Sequence, residues 1–180
     1  MIAGTQMKPY TQFLEAKRLT VQPSGFNVER TALNPKLFDF QRDVTKWGLR
    51  KGKCCLFEDC GLGKTAQELE WSAHVFYQTG KPVLNLAPLA VSQQTKREGD
   101  KFGIPVTIVR QQADVVKGIN IANYEMLEHF DPRCFSGIVL DESSILKGDG
   151  PLRKAITDFA GHIPYRLAGT ATPAPNDYME

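Results

Sequence analysis

The stretch Cys54-Cys55-Leu56-Phe57-Glu58-Asp59-Cys60-Gly61-Leu62-Gly63-Lys64-Thr65-Ala66-Gln67 decides the fold. A short apolar run enters a turn with two glycines, and Lys64-Thr65 then opens a segment of helical spacing. Strand, glycine turn and helix start, in that order, are the layout of a phosphate-binding loop. Glycines let backbone N–H groups point inward at phosphate oxygens, and the helix N-terminus adds partial positive charge. In such a loop Lys64 reaches the β- and γ-phosphates and the Thr65 hydroxyl holds Mg²⁺. The general template has a glycine five residues before Gly63, where this chain has Glu58. Taken alone, the stretch also reads as an ordinary strand-turn-helix.

Outward from the loop, apolar runs rich in β-branched residues recur at Val83–Ala87, Val106–Val109, Ile119–Ala122, Gly137–Leu140 and Tyr165–Ala168. Helical spacing fills the gaps. Ala66, Leu69, Ala73 and Phe76 share one face of a helix that ends near Gly80-Lys81-Pro82. A second helix is predicted from Ala90 to Phe102, closed by Gly103, and a third over Pro151–Phe159 with proline in its first turn. Continuous apolar strands alternating with helices predict a mostly parallel sheet covered on both faces. Ligands of such sheets bind beyond the carboxyl ends of the strands, where the phosphate loop leaves its own strand. Cys54 and Cys55 read as small apolar residues of a buried strand, and Trp47 and Trp71 as packing aromatics. Lys8–Leu19 reads as a short helix and Val21–Pro35 as an irregular arm. Residues 1–35 are thus an N-terminal arm and 36–180 the main domain.

Composition is that of an ordinary globular domain. The chain has 180 residues, 42% of them hydrophobic and 23% charged, enough for one sizeable core. A net charge of +2 does not by itself argue for nucleic acid, although charges can still cluster on one face. No apolar run is long enough to span a membrane, and Met1–Pro9 lacks the pattern of a secretory leader, so no membrane association and a cytoplasmic location are the default expectation. The four cysteines contain no Cys-x-x-Cys pair, which leaves a zinc site without a ligand pattern. Cys60 falls inside the loop, near where phosphates would lie.

A phosphate loop needs a carboxylate for Mg²⁺ at the end of a neighbouring strand. Gly137-Ile138-Val139-Leu140-Asp141-Glu142 supplies one. Asp141 would bind the metal, directly or through water, and Glu142 would orient and deprotonate an attacking water. Two solvent-facing acids at a strand end are the alternative, which the coincidence with the loop argues against. Further on, Leu167-Ala168-Gly169-Thr170-Ala171-Thr172-Pro173 ends a strand in hydroxyl residues. These could hydrogen-bond Asp141 and Glu142, or simply cap a turn.

Taken together, Phe40-Gln41, Gly61–Thr65, Ala87-Pro88-Leu89, Asn123–Leu127, Asp141-Glu142-Ser143-Ser144 and Gly169–Pro173 resemble, in order, the motifs of superfamily 2 helicases of the DEAD/DEAH type. The Snf2-like branch found in bacteria and phages is the nearest in pattern, and that branch commonly lacks the glycine replaced here by Glu58. The resemblance covers about residues 36–180. It implies a three-layer α/β, RecA-like P-loop NTPase domain that binds ATP and Mg²⁺ and acts as a nucleic-acid-dependent ATPase, a helicase or translocase. By the same resemblance Gln41 would read the adenine edge, with Phe38 or Arg42 nearby. Gly61, Leu62, Gly63, Lys64, Thr65 and Ala66 would hold the triphosphate, with Thr65 and Asp141 on the metal. Lys64, Asp141 and Glu142 would carry the chemistry. Gly169, Thr170 and Thr172 would couple ATP state to the polymer, and Pro88, Leu89 and Tyr124 mark segments that touch nucleic acid in relatives. The acidic motif continues Ser143-Ser144 rather than Ala-His or Ala-Asp, which leaves the coupling contact of Ser144 open.

Relatives pair two RecA-like domains, the second bringing arginine fingers. The resemblance therefore implies a second domain, expected in a longer chain of which this is a piece, or else supplied by a partner. The Snf2-like pattern favours DNA over RNA. Structural readings stand beside several of these assignments: Gln41 as a solvated helix residue, Tyr124 as partly core, and Lys96, Arg97 and Lys101 as a solvated basic face. A non-catalytic RecA-like interaction module and a small P-loop kinase are the other readings of the whole. The first has no need for Lys64, Thr65, Asp141 and Glu142 together, and the second leaves the coupling motifs unexplained.

Overall fold

A computed structural model of the chain describes residues 22–148 and 150–172. The predicted helix at Lys8–Leu19 and the residues from Pro173 onward lie outside them. Four helices and six strands alternate: α1 (Asp39–Lys51), β1 (Lys53–Phe57), α2 (Lys64–Thr79), β2 (Val83–Ala87), α3 (Ser92–Phe102), β3 (Val106–Ile108), β4 (Ile119–Asn123), β5 (Gly137–Leu140), α4 (Pro151–Gly161) and β6 (Tyr165–Thr170). The strands form one sheet in the order β1-β6-β5-β2-β4-β3. All five pairings are parallel, so the sheet is wholly rather than mostly parallel.

Alternation along each strand sends side chains to two different layers. Leu84, Leu86, Ile138 and Leu140 pack with Ile156 and Phe159 of α4. Val83, Val139 and Leu167 face the other way, onto Leu49 of α1 and Trp71 and Val75 of α2. Leu69 and Ala73 of α2 extend that layer over Val106, Ile119 and Ile121. Helix α2 is consequently central. It is buried on nearly all sides, including the polar Gln67, Glu68, Glu70 and Ser72, rather than on the single face its apolar spacing predicts. Its neighbours α1 and α3 flank it, and this is why the apolar stripe alone understates its burial. Leu69→Ala is expected to destabilise the domain by about 2–5 kcal/mol, because a side chain with no exposed surface leaves a cavity. A urea titration checks this through a lower midpoint at unchanged slope.

The irregular segment before α1 is fastened to the domain. Backbone N–H groups of Ser24, Gly25 and Phe26 donate to Lys51, Arg50 and Leu49 at the end of α1. Asn34 is tied to distant elements: its backbone N–H donates to Glu70 at 2.8 Å, and its side chain donates to the Phe102 carbonyl at 2.7 Å. The adjacent Leu33 is buried in the cluster with Leu49, Trp71 and Val75.

One expectation fails at the sheet edge and another on α1. Strand β1 is an edge strand, with α4 lying over β5 and β6 instead. Cys55 and Phe57 are therefore exposed and Cys54 only half-buried, not the interior residues that the apolar run suggests. Burial is still enough to push the Cys54 thiol up to about 12. Trp71 is core as expected, but Trp47 is 39% exposed on the outer face of α1.

Candidate nucleotide site

The carboxyl ends of β1, β2, β5 and β6 lie side by side, and the phosphate-loop residues, Pro88, Asp141 and Thr170 follow or end them. Parallel register puts all the predicted polar residues at one rim of the sheet. Gly63 caps α2 with a φ of 78°, a left-handed conformation that a side chain resists. A Cβ there would also sit 2.3 Å from Gln41 Nε2. Gln41 is buried rather than solvated. Its Oε1 accepts from the Phe38 N–H at 2.9 Å and its Nε2 donates to the Leu62 carbonyl at 2.8 Å, stitching α1 to the loop. Gly63→Ala is expected to weaken nucleotide binding at least about tenfold, since the loop must open to relieve both conflicts. Titration with a fluorescent ATP analogue measures it.

Glu58, which replaces the template's glycine, has a structural task. Its carboxylate accepts from Gln67 Nε2 at 2.7 Å, and its backbone carbonyl accepts from Lys64 Nζ at 2.7 Å, with Asp59 adding a second carbonyl at 3.1 Å. The lysine amine is thereby held at the mouth of the loop by partners that phosphate oxygens can replace. The Ala66 and Gln67 N–H groups both donate to the Gly63 carbonyl. Both amides are thereby engaged within the first turn of α2, and Ala66 lines the groove.

Across the groove, Asp141 and Glu142 differ in environment. Burial, then the neighbouring Glu142 charge, raises the Asp141 carboxyl above the ordinary range. Glu142 is lowered, first by the Ser144 hydroxyl and then by Thr170 and the cations Lys64 and Lys147. Ser144 Oγ donates to Glu142 Oε1 at 2.6 Å and Thr170 Oγ1 donates to the same oxygen at 2.9 Å. Both hydroxyls use Oε1, and no hydrogen bond to the second oxygen is found among the described residues. Glu142 has φ 56° and ψ 56°, the left-handed region in a non-glycine residue, a strain of about 1–3 kcal/mol that the two hydroxyls help to hold. From below, the Tyr124 hydroxyl donates to the Asp141 carbonyl at 2.7 Å.

Lys64, Thr65, Asp141 and Glu142 line one groove of about 480 Å³. A hydroxyl and a carboxylate facing a common space are hard oxygen donors, the set that suits Mg²⁺. The residues present therefore fit the metal that the motif implies. Next to it, sharing Gly61, Gly63 and Ala66, lies a cavity of about 550 Å³ lined by Gln41, Lys36, Phe102 and the exposed Phe38 ring. An aromatic face beside a buried amide is a fitting surface for a purine.

The residues to which the resemblance assigns coupling are joined to the acids. Thr170 holds Glu142, and its hydroxyl also accepts from the Thr172 N–H at 3.1 Å, while the Thr172 carbonyl accepts from Lys147 Nζ. Of the residues assigned to nucleic acid, Leu89 is 71% exposed and Pro88 lines the groove. Tyr124 is different: it is 4% exposed and supports Asp141, so its side chain is part of the site's floor and is not presented to a polymer. On α3, Lys96 faces Asp100 at 3.9 Å and Lys101 faces Glu98 at 3.4 Å, giving a face of mixed charge. Sequence reading left out Glu58's anchoring role, Gln67, Lys147 and Glu68. The acids and amides at 67, 68 and 70, inside an otherwise apolar helix, are the signal that points to them. Glu68 is fully enclosed, and burial, then the Asp141 charge, drives its carboxyl well above the usual range.

Comparison with known proteins agrees with this architecture. No family model matches the chain. In sequence it is 31% identical over 127 residues to the SWI/SNF-related matrix-associated actin-dependent regulator of chromatin subfamily A-like protein 1 of Xenopus tropicalis, across 64% of this chain and 13% of that protein. It is 25% identical over 143 residues to the DNA annealing helicase and endonuclease ZRANB3 of Bos taurus, across 69% of this chain and 13% of that protein. In structure it resembles the Sulfolobus solfataricus SWI2/SNF2 ATPase core in complex with double-stranded DNA, with a TM-score of 0.69 and 23% identity over 84% of this chain and 35% of that one. The UvsW helicase of bacteriophage T4 has a TM-score of 0.66 at 10% identity, over 97% of this chain and 64% of that one. The fold is therefore the RecA-like fold of the Snf2 ATPase core. The chain spans about an eighth of the length of the curated relatives it matches.

Proposed function

We propose that this domain is the ATP-binding half of a Snf2-like superfamily 2 motor, a nucleic-acid-dependent ATPase that moves on or remodels DNA. The observation that carries the reading is the convergence of Lys64, Thr65, Asp141 and Glu142 on one groove, with Thr170 hydrogen-bonded to Glu142. Sequence likeness to a chromatin regulator of the SWI/SNF-related group and to a DNA annealing helicase supports DNA as the polymer.

In this reading the loop amides and Lys64 bind the β- and γ-phosphates, and Gln41 and Phe38 receive the adenine. Thr65 and Asp141 hold Mg²⁺, which when bound neutralises charge on the phosphate oxygens. Glu142, lowered and ionised, accepts a proton from a water through its free oxygen as that water attacks the γ-phosphorus. The bond to the β-phosphate oxygen breaks, giving ADP and phosphate. Thr170 and Thr172 transmit the presence of the γ-phosphate to the polymer-binding face. Lys64 is the one cation among the described residues lining the groove. An arginine finger, worth about 10³ or more in rate, then comes from a second RecA-like domain across the cleft.

ATP turnover with and without double- or single-stranded DNA tests this. Hydrolysis that is slow in the isolated domain, and that DNA stimulates when the second domain is present, is the expected result. Nucleotide-independent DNA binding with no hydrolysis under either condition would favour a non-catalytic module instead.

A further inference from the structure

The chemistry above leaves one enclosed acid without a task. Glu68 lies one helical turn beyond Lys64 on α2 and is 2% exposed. Its Oε1 has no hydrogen-bond partner among the described residues. Removing a carboxyl oxygen from water without a hydrogen-bond partner is costly. What the oxygen touches is Gly169. A Cβ built on that glycine would lie 2.0 Å from Glu68 Oε1 and 3.9 Å from Lys64 Cδ. The Glu68 carboxyl and the Lys64 stem therefore cover the same spot on β6, immediately before Thr170, which holds Glu142. From Glu68 the contact passes to Gly169 and, through the adjacent Thr170, to Glu142, with the Lys64 stem beside it.

We propose that Glu68 is a positioning residue for hydrolysis: wedged between α2 and Gly169, its carboxyl sets the distance from the phosphate loop to Thr170 and so to Glu142. Helix α2 begins at the loop, and any shift of its first turns on nucleotide binding reaches β6 through this wedge. Glycine at 169 is required because the wedge occupies the space where a side chain would begin. The inference rests on the nucleotide-site reading above.

The test uses Glu68→Ala, Glu68→Gln, Gly169→Ala and the Glu68→Ala/Gly169→Ala pair. Readouts are affinity for a fluorescent ATP analogue, kcat and KM for ATP, and hydrogen exchange at residues 170–172 with and without Mg²⁺ and the analogue. Glu68→Ala is expected to keep affinity and KM within about twofold, lower kcat about tenfold, and abolish the nucleotide-dependent protection at 170–172. Glu68→Gln, equal in size, restores most of both. Gly169→Ala alone lowers the melting temperature and kcat, and adding Glu68→Ala to it recovers part of each loss. The exchange readout does not require turnover. Undiminished protection and kcat in Glu68→Ala, or simple additivity in the double variant, would overturn the proposal while leaving the nucleotide site standing. A wild-type protein that binds no nucleotide would remove both.

Discussion

Lys64→Ala is expected to lower affinity for Mg²⁺–ATP by about 100-fold and to reduce hydrolysis below detection. The size follows from what the residue supplies. Lys64 is the one cation among the described residues lining the groove, and with ATP bound it would face three or four phosphate charges. A hydrogen bond to a charged group contributes about 1.5–3 kcal/mol, and one amine can make two of them in this loop. The amine is held by the Glu58 and Asp59 carbonyls at the mouth of the loop, so little further ordering of the lysine is needed on binding. Those carbonyls lie at the exposed mouth of the loop and can turn to water. The melting temperature of the variant is therefore expected to stay close to that of the wild type, separating lost binding from lost folding. Equal affinity in the variant would show that nucleotide does not use this loop.

Glu142→Gln is expected to do the opposite: retain nucleotide binding and lose turnover. Glutamine keeps the size of glutamate, and its Oε1 can still accept from Ser144 and Thr170 at the distances found here. The left-handed backbone at 142 and the link to β6 are then preserved, and only the proton acceptor is gone. General-base contributions of about 10²–10⁴ set the expected fall in kcat, with KM changed little. Single-turnover measurements on preformed Mg²⁺–ATP complex separate the chemical step from product release. A variant that hydrolyses at the wild-type rate would place the base elsewhere in the groove.

The layout of this site was largely legible because parallel α/β sheets put chemistry at strand ends. Gly61–Thr65, Asp141-Glu142 and Thr170 each follow or end an apolar run, and the runs at Val83–Ala87 and Gly137–Leu140 match the strands residue for residue. Less could be read where neighbours in space decide. The Cys54–Phe57 run looks interior, yet β1 lies at the sheet edge, and strand order is not written in any single strand. Gln41 and Tyr124 each carry a polar group that could face solvent or polymer. Their burial depends on Leu62 and Asp141, partners 21 and 17 residues away. Ser144 departs from the motif, and only the path of the turn brings its hydroxyl back onto Glu142. Glu68 is the clearest case: in a helix read by its apolar spacing an acid is assigned to solvent. Here it is enclosed against Gly169 of the sheet.

The central claim is that these strand ends form a working Mg²⁺–ATP site, and equilibrium titration with a fluorescent ATP analogue, with and without Mg²⁺, tests it most directly. The account predicts saturable binding that ATP competes away, that strengthens when Mg²⁺ is added, and that is lost in Lys64→Ala but kept in Glu142→Gln. Absence of binding, or binding indifferent to both Mg²⁺ and Lys64, would contradict it.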